Sequence, residues 1–410
     1  MESTAKGSLG MSYGWAVVAI LWVSHTVYFL NYMTVGTLAP FIKSEFNISS
    51  ARIGFLASAT TLGSTLIQIP AGLMSDRRGT KWIMAAGLLL MGVSAIGVFF
   101  IHSYTVLFLL LLFIGLGIGC NQTPATKAIV MWFALRGRAT AMGIKQSGVT
   151  MGGIVASFCL PRIAIETKSW KYGFLASGLV ALVATAIVLL FYEEAPGHPE
   201  GSSEDWLEWR TGAIRLFFDR DFMLLCLTGI LLMLVQYAFA AHFVMFASSA
   251  LGLTVSGAGA VLGISFVTAV LGRILWSMVS DYLFKARRKM VVTLIGAAGA
   301  AVCAGFALLI AYRSTAWLYL LAVVFGLTGL GWNAIYLTRV GEFPGKALAG
   351  IATGLNFAVI NAGAVSGPPL YGYLVDISHG YTVPWIVIGF CMLLVTFLSK
   401  IQKKERLVME

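Results

Sequence analysis

The chain has 410 residues, of which 59% are hydrophobic and only 11% charged, with a mean hydropathy of +0.87. Soluble domains carry about 25% charged residues, so this composition excludes one and describes a polytopic protein embedded in a lipid bilayer. The formal net charge of +11 would suit nucleic acid, but the cations fall in short loops between apolar runs, where membrane orientation accounts for them and no nucleic-acid partner is implied.

A helix needs about 20 apolar residues to cross the hydrocarbon core. Twelve segments reach that length, at 13–41, 51–75, 80–101, 104–133, 138–160, 170–193, 221–250, 255–281, 288–312, 315–341, 346–374 and 380–401. The first is too long for the apolar core of a cleaved signal peptide and reads as a retained helix. After the sixth comes the one sustained polar interval, containing EEAPGHPEGSSEDWLEWR, whose Pro, Gly and acidic content marks a linker. The chain therefore reads as an all-α membrane protein with twelve transmembrane helices in two six-helix bundles. The N-terminal bundle covers 1–193, the linker 194–220 and the C-terminal bundle 221–410.

An even number of spans puts both termini on one side. That side holds 19 basic residues against 6 on the other, so the positive-inside rule makes the termini and linker cytoplasmic. The protein is then a multi-pass protein of the cell membrane, the inner membrane if the source is Gram-negative. The halves also repeat. PAGLMSDRRGTKW closing segment two and LWSMVSDYLFKARRK closing segment eight each give a helix, an Asp and a basic cluster. AMGIKQSGVTMGG in segment five aligns with TGLNFAVINAGAVSG in segment eleven, placing Lys145 over Asn356. Two such repeats are a transporter architecture, with the site where they meet. Gly115, Gly117 and Gly119 in segment four, and Gly143, Gly148, Gly152 and Gly153 in segment five, are small residues at helix-contact spacing.

Three basic residues remain inside the apolar segments: Lys127, Lys145 and Arg273. An arginine within a span is costly and normally faces a polar cavity. Arg273 precedes Asp281 by eight residues, which puts it about 12 Å into the bilayer. Its planar fork suits a carboxylate or sulfonate; the other reading is a structural arginine bonded to carbonyls of a neighbouring helix. Lys145 reaches a similar depth, either to hold the far end of a dianion or to snorkel along its own stem. Lys127, near the end of segment four, fits snorkelling. Trp276, one turn from Arg273, either stacks on the guanidinium or faces lipid.

The polar residues Tyr28, Asn121, Gln146, Tyr237, His242, Tyr336, Asn356 and Asn361 either line a substrate path or bond helix to helix. All seventeen carboxylates lie at helix ends, in loops or in tails. The titratable groups left for proton coupling are His25 and His242, each of which also fits as a packing histidine. Cys120, Cys159, Cys226, Cys303 and Cys391 show no metal-ligand spacing, so neither a disulfide framework nor a metal site is indicated, and no cofactor is implied. No GxxxxGK[ST] loop occurs, which disfavours an ATP-driven pump.

Gly72, Asp76, Arg77, Gly79 and Lys81, with Thr80 in place of the usual basic residue, resemble the signature loop GxxxDRxGRK of the major facilitator superfamily, and the resemblance extends over the whole chain. It implies that this loop, together with Asp281, gates the cytoplasmic ends of the bundles. Gly272 and Arg273 followed by Asp281 resemble the monocarboxylate transporters and the oxalate/formate exchanger, where the arginine binds substrate carboxylate. The departures are Ala269 in place of an acidic residue, no lysine in segment one, and Ile360 and Asn361 near the position of the exchanger's second cation. The stretch Gly148 to Gly153 lacks the proline of the drug/proton antiporters.

These readings predict a monomeric secondary transporter, not an enzyme, that moves a small organic anion by alternating access as a proton symporter or an anion exchanger. A monocarboxylate ranks first; a dicarboxylate or organosulfonate held by Arg273 plus Lys145 ranks second. A non-transporting membrane sensor of the same fold is the reading from another class.

Overall fold

The computed structural model describes residues 2–133, 135–195, 211–212, 214–285, 287–344 and 349–402. Side chains are described in these ranges except at 2–12, 76, 135, 136, 139, 349 and 350. Every regular element among them is helical. The order is α1 Glu2–Phe46, α2 Ser50–Arg78, α3 Thr80–Gly97, α4 Tyr104–Trp132, α5 Leu135–Glu166 and α6 Lys171–Phe191. There follow α7 Arg220–Ser249, α8 Val255–Met278, α9 Arg288–Tyr312, α10 Thr315–Glu342, α11 Ala349–Ser378 and α12 Thr382–Ile401. Eleven are long and apolar enough to cross a bilayer, and α11, at 30 residues, is also of membrane length.

Hydrocarbon offers backbone groups no hydrogen-bond partner, so each crossing segment satisfies its own N–H and C=O groups as a helix. The helices outrun the apolar segments, α1 continuing to Phe46 and α5 covering Leu135–Glu166, since internal bonding persists past the apolar core. Pro40, Pro70, Pro124 and Pro161 all lie inside helices, where neighbouring groups compensate for the lost donor. Two π turns interrupt the regularity: Val279–Leu283 extends α8, and Gly326–Leu330 breaks α10. Much of the interval expected as a linker, 196–210, lies outside the described residues.

The chain divides into two compact units, one of Met1–Ile42 with Ala59–Gly201 and one of Lys43–Ser58 with Ser202–Glu410. In the first, glycines let helix backbones touch. A methyl group on Gly115 of α4 would overlap the Thr60 carbonyl of α2, and one on Gly148 of α5 would sit 2.5 Å from the Trp22 carbonyl oxygen of α1. Gly152, one turn on, meets the Thr26 carbonyl in the same way. Gly143, grouped with these by spacing, has nothing within 4 Å of its methyl position and is not a contact residue.

The second unit is built around an aromatic core. Phe239 stacks on Phe325 with centroids 4.1 Å apart, and Phe306 on Trp385 at 4.4 Å. Its α7–α11 contact repeats the α1–α5 one: Gly363 and Gly367 of α11 close on the Ile230 and Leu234 carbonyls. The α1–α2 junction also belongs to this unit. Asp376 of α11 accepts hydrogen bonds from Ser50 N and Ala51 N, both at 2.8 Å, and so caps the N-terminus of α2.

Overpacking a close helix contact costs about 1–3 kcal/mol. Gly363→Ala should therefore lower the unfolding temperature in detergent, while Gly143→Ala should leave it at the wild-type value. Equal stability of the two variants would contradict the contact assignment.

Candidate functional site

The signature loop is shaped by Gly79, whose φ of 86° lies in the left-handed region that favours glycine. A methyl group there would also sit 2.5 Å from Glu194 Oε1. Glu194 accepts hydrogen bonds from Lys81 N at 2.6 Å and from Thr80 Oγ1 at 2.8 Å, and Tyr192 Oη lies 2.7 Å from the same hydroxyl. The carboxylate thus sits at the N-terminus of α3, where the helix dipole favours an anion. Sequence reasoning assigned Glu194 to the linker; the signals were an acid just past α6 and Thr80 standing where a basic residue is usual. Arg77 and Arg78 are exposed and Lys81 is half-buried. Gly72 meets only Thr123 Cγ2 at an ordinary 3.4 Å, so close approach does not demand a glycine there. The side chain of Asp76 lies outside the described residues. In the second unit, Asp281 pairs with Arg288, which also reaches Ser280 Oγ at 2.9 Å and Glu342 Oε1 at 3.4 Å.

Within the first unit's span, Lys145 is 2% exposed, and its Nζ donates to Thr126 Oγ1 of α4 at 2.9 Å. That hydroxyl donates in turn to the Gln122 carbonyl at 3.0 Å, and Gln122 Oε1 accepts from Gln68 Nε2 of α2 at 3.0 Å. A polar line therefore runs from α5 through α4 to α2. His25 on α1 is fully buried, with Nδ1 3.0 Å from the Leu21 carbonyl and the Tyr28 ring edge-on at 5.0 Å. Gln146 is exposed. Asn121 points away from this line: its amide donates to the Met84 carbonyl of α3 at 3.3 Å. It therefore ties α4 to α3.

In the second unit, Arg273 is half-buried and interacts with neighbouring groups, so it is not the bare cation that the sequence suggests. Gly272 lets α8 approach the π turn of α10, and Trp276 Nε1 donates to the Leu327 carbonyl of that turn at 2.7 Å. A π turn disrupts the regular ladder, and the indole bonds to a carbonyl within it.

Of the remaining candidates, Tyr336 and Asn356 meet, and His242 stands apart from them. Tyr336 donates to the Leu225 carbonyl at 3.0 Å, while Asn356 donates to Tyr336 Oη at 2.7 Å and to Cys226 Sγ at 3.3 Å. His242 Nε2 donates to the Pro368 carbonyl at 2.8 Å, and its ring stacks on Tyr371 at 5.1 Å. Cys226 and His242 are about 24 Å apart along α7, so no one small solute can touch both groups. Their hydrogen bonds hold helices together. Between them, Gln236 accepts from Asn333 Nδ2 at 3.1 Å. Tyr237 and Asn361 are half-buried.

Removing a helix cap costs about 0.5–2 kcal/mol. Glu194→Ala should accordingly lower the unfolding temperature measurably, whereas Arg77→Ala at an exposed position should not. A Glu194→Ala protein as stable as wild type would remove the cap.

The family model of the Major Facilitator Superfamily matches residues 21–368. The hexuronate transporter of Bacillus subtilis (strain 168) is 23% identical over 387 residues, covering 91% of this chain and 90% of that protein. The probable sulfoacetate transporter SauU of Cupriavidus necator is 23% identical over 392 residues, covering 90% of each. A solved structure of a bacterial homolog of the human lysosomal transporter Spinster matches with a TM-score of 0.79 at 16% identity, over 94% of this chain and 96% of that one, a likeness of fold alone. With a family match over most of its length and relatives that are transporters throughout, the chain belongs to the Major Facilitator Superfamily and is a membrane transporter, not an enzyme.

Proposed function

We propose that this protein is a secondary transporter carrying a small organic anion across the cell membrane by alternating access, with Lys145 and Arg273 as its cationic ligands. One observation carries the reading. Lys145 is buried within a span, and its hydrogen-bond partner among the described residues is a neutral hydroxyl, not a carboxylate. An ammonium taken out of water without a counter-charge costs several kcal/mol, and such intramembrane charges mark substrate paths. Burial at 2% also speaks against a lysine snorkelling to the surface. Arg273 supplies the second unit's intramembrane cation, on a helix whose Gly272, Arg273 and Asp281 resemble a carboxylate-binding pattern.

The named cargoes of the two relatives, a hexuronate and sulfoacetate, both carry a carboxylate, in keeping with this class. A monocarboxylate is the first reading. A dianion, either a dicarboxylate or an organosulfonate bearing a carboxylate, is the second. We place the termini in the cytoplasm because 19 basic residues flank that side against 6 opposite.

Binding of D-glucuronate and sulfoacetate to the purified full-length protein, read by calorimetry, tests the assignment. Removing one partner of a buried charge pair costs about 2–5 kcal/mol, so Lys145→Gln should weaken binding at least about 30-fold. Arg273→Lys should weaken it too, since a point charge cannot reproduce the bidentate fork. Wild-type affinity in both variants would overturn the reading.

A further inference from the structure

We propose that His25 carries the coupled proton and that Lys145 links it to the anion: a carboxylate or sulfonate that neutralises Lys145 lets His25 Nε2 take up one proton, and the two cross together. This rests on the anion-transport reading above.

The ring geometry fixes where the proton goes. Nδ1 lies 3.0 Å from the Leu21 carbonyl oxygen; a carbonyl only accepts, so Nδ1 holds the hydrogen and Nε2 presents a lone pair. Nε2 is buried and, among the described residues, has no hydrogen-bond partner, so its lone pair is open to a proton. α5 is drawn against α1 by Gly148, whose methyl position lies 3.2 Å from His25 Cβ, and Lys145 lies on that helix less than one turn before Gly148. On α1 itself, Tyr28 stands edge-on to the imidazole at 5.0 Å. All seventeen carboxylates are at helix ends or outside the spans, and among the described residues no carboxylate is bonded to this imidazole.

Two cations in a low-dielectric interior repel each other. While Lys145 is bare, a proton on His25 is opposed; once an anion cancels the lysine charge, it is not. The coupling is reciprocal, so protonation tightens anion binding by the factor by which the anion favours protonation. The balance is simple. One proton from the solution binds Nε2 as the anion binds Lys145, and returns to the solution when the anion leaves. A monoanion then crosses with no net charge added to the carrier, and a dianion with one negative charge. His242 lies in the other unit, where its Nε2 donates to the Pro368 carbonyl.

The test uses the purified full-length protein with sulfoacetate, whose sulfonate does not titrate in the working range, and D-glucuronate. Binding constants are measured between about pH 5 and pH 8, where an imidazole changes charge, and proton uptake is counted in weakly buffered solution. Wild type should bind more tightly at the acid end by roughly 100-fold, within the ordinary range of coupling, and take up most of a proton per anion near neutral pH. His25→Asn retains a donor for Leu21 and should bind without pH dependence or proton uptake; His25→Gln replaces it should the Asn variant not fold. His242→Asn should respond like wild type. Absence of proton uptake by wild type, or a persisting pH dependence in a folded His25 variant, overturns the proposal. Failure of both probes to bind at any pH is a different result and overturns the anion reading itself.

Discussion

The ammonium of Lys145, buried among helices and held by one threonine hydroxyl, is the constraint on which the structure depends. Desolvating such a charge is among the costliest events in a folded protein, and a neutral acceptor recovers only part of the cost. The bundle maintains this state by close packing. Gly148 and Gly152 bring α5 to the carbonyls of α1. Thr126 and the Gln122–Gln68 pair extend polar groups from it across α4 to α2. An anion arriving at that ammonium would supply what the fold itself withholds.

The same helix contact recurs in the other unit without the charge. Gly363 and Gly367 of α11 close on α7 as Gly148 and Gly152 of α5 close on α1. The sequence repeat sets the uncharged Asn356 over Lys145, and its amide bonds to Tyr336 Oη within that unit.

The spans, the signature loop and the three intramembrane cations were legible in the sequence, because a bilayer imposes length and hydropathy on every crossing segment. The ranking of the cations was not. Arg273 stands out in an apolar run, but only coordinates reveal that it is half-buried with neighbours, while Lys145 is the more deeply enclosed. Tyr336, Asn356 and His242 read as a lining by polarity alone, and His242 stands apart from the other two because side-chain polarity carries no information about depth along α7. Glu194 escaped notice because its partners, Thr80 and Lys81, are more than a hundred residues away in sequence.

The most direct test is an experimental structure of the protein with sulfoacetate bound. The account predicts an anionic oxygen about 2.7–2.9 Å from Lys145 Nζ, the length of a charge-assisted hydrogen bond. A fully occupied anion elsewhere, with Lys145 still bonded to Thr126 alone, would contradict it.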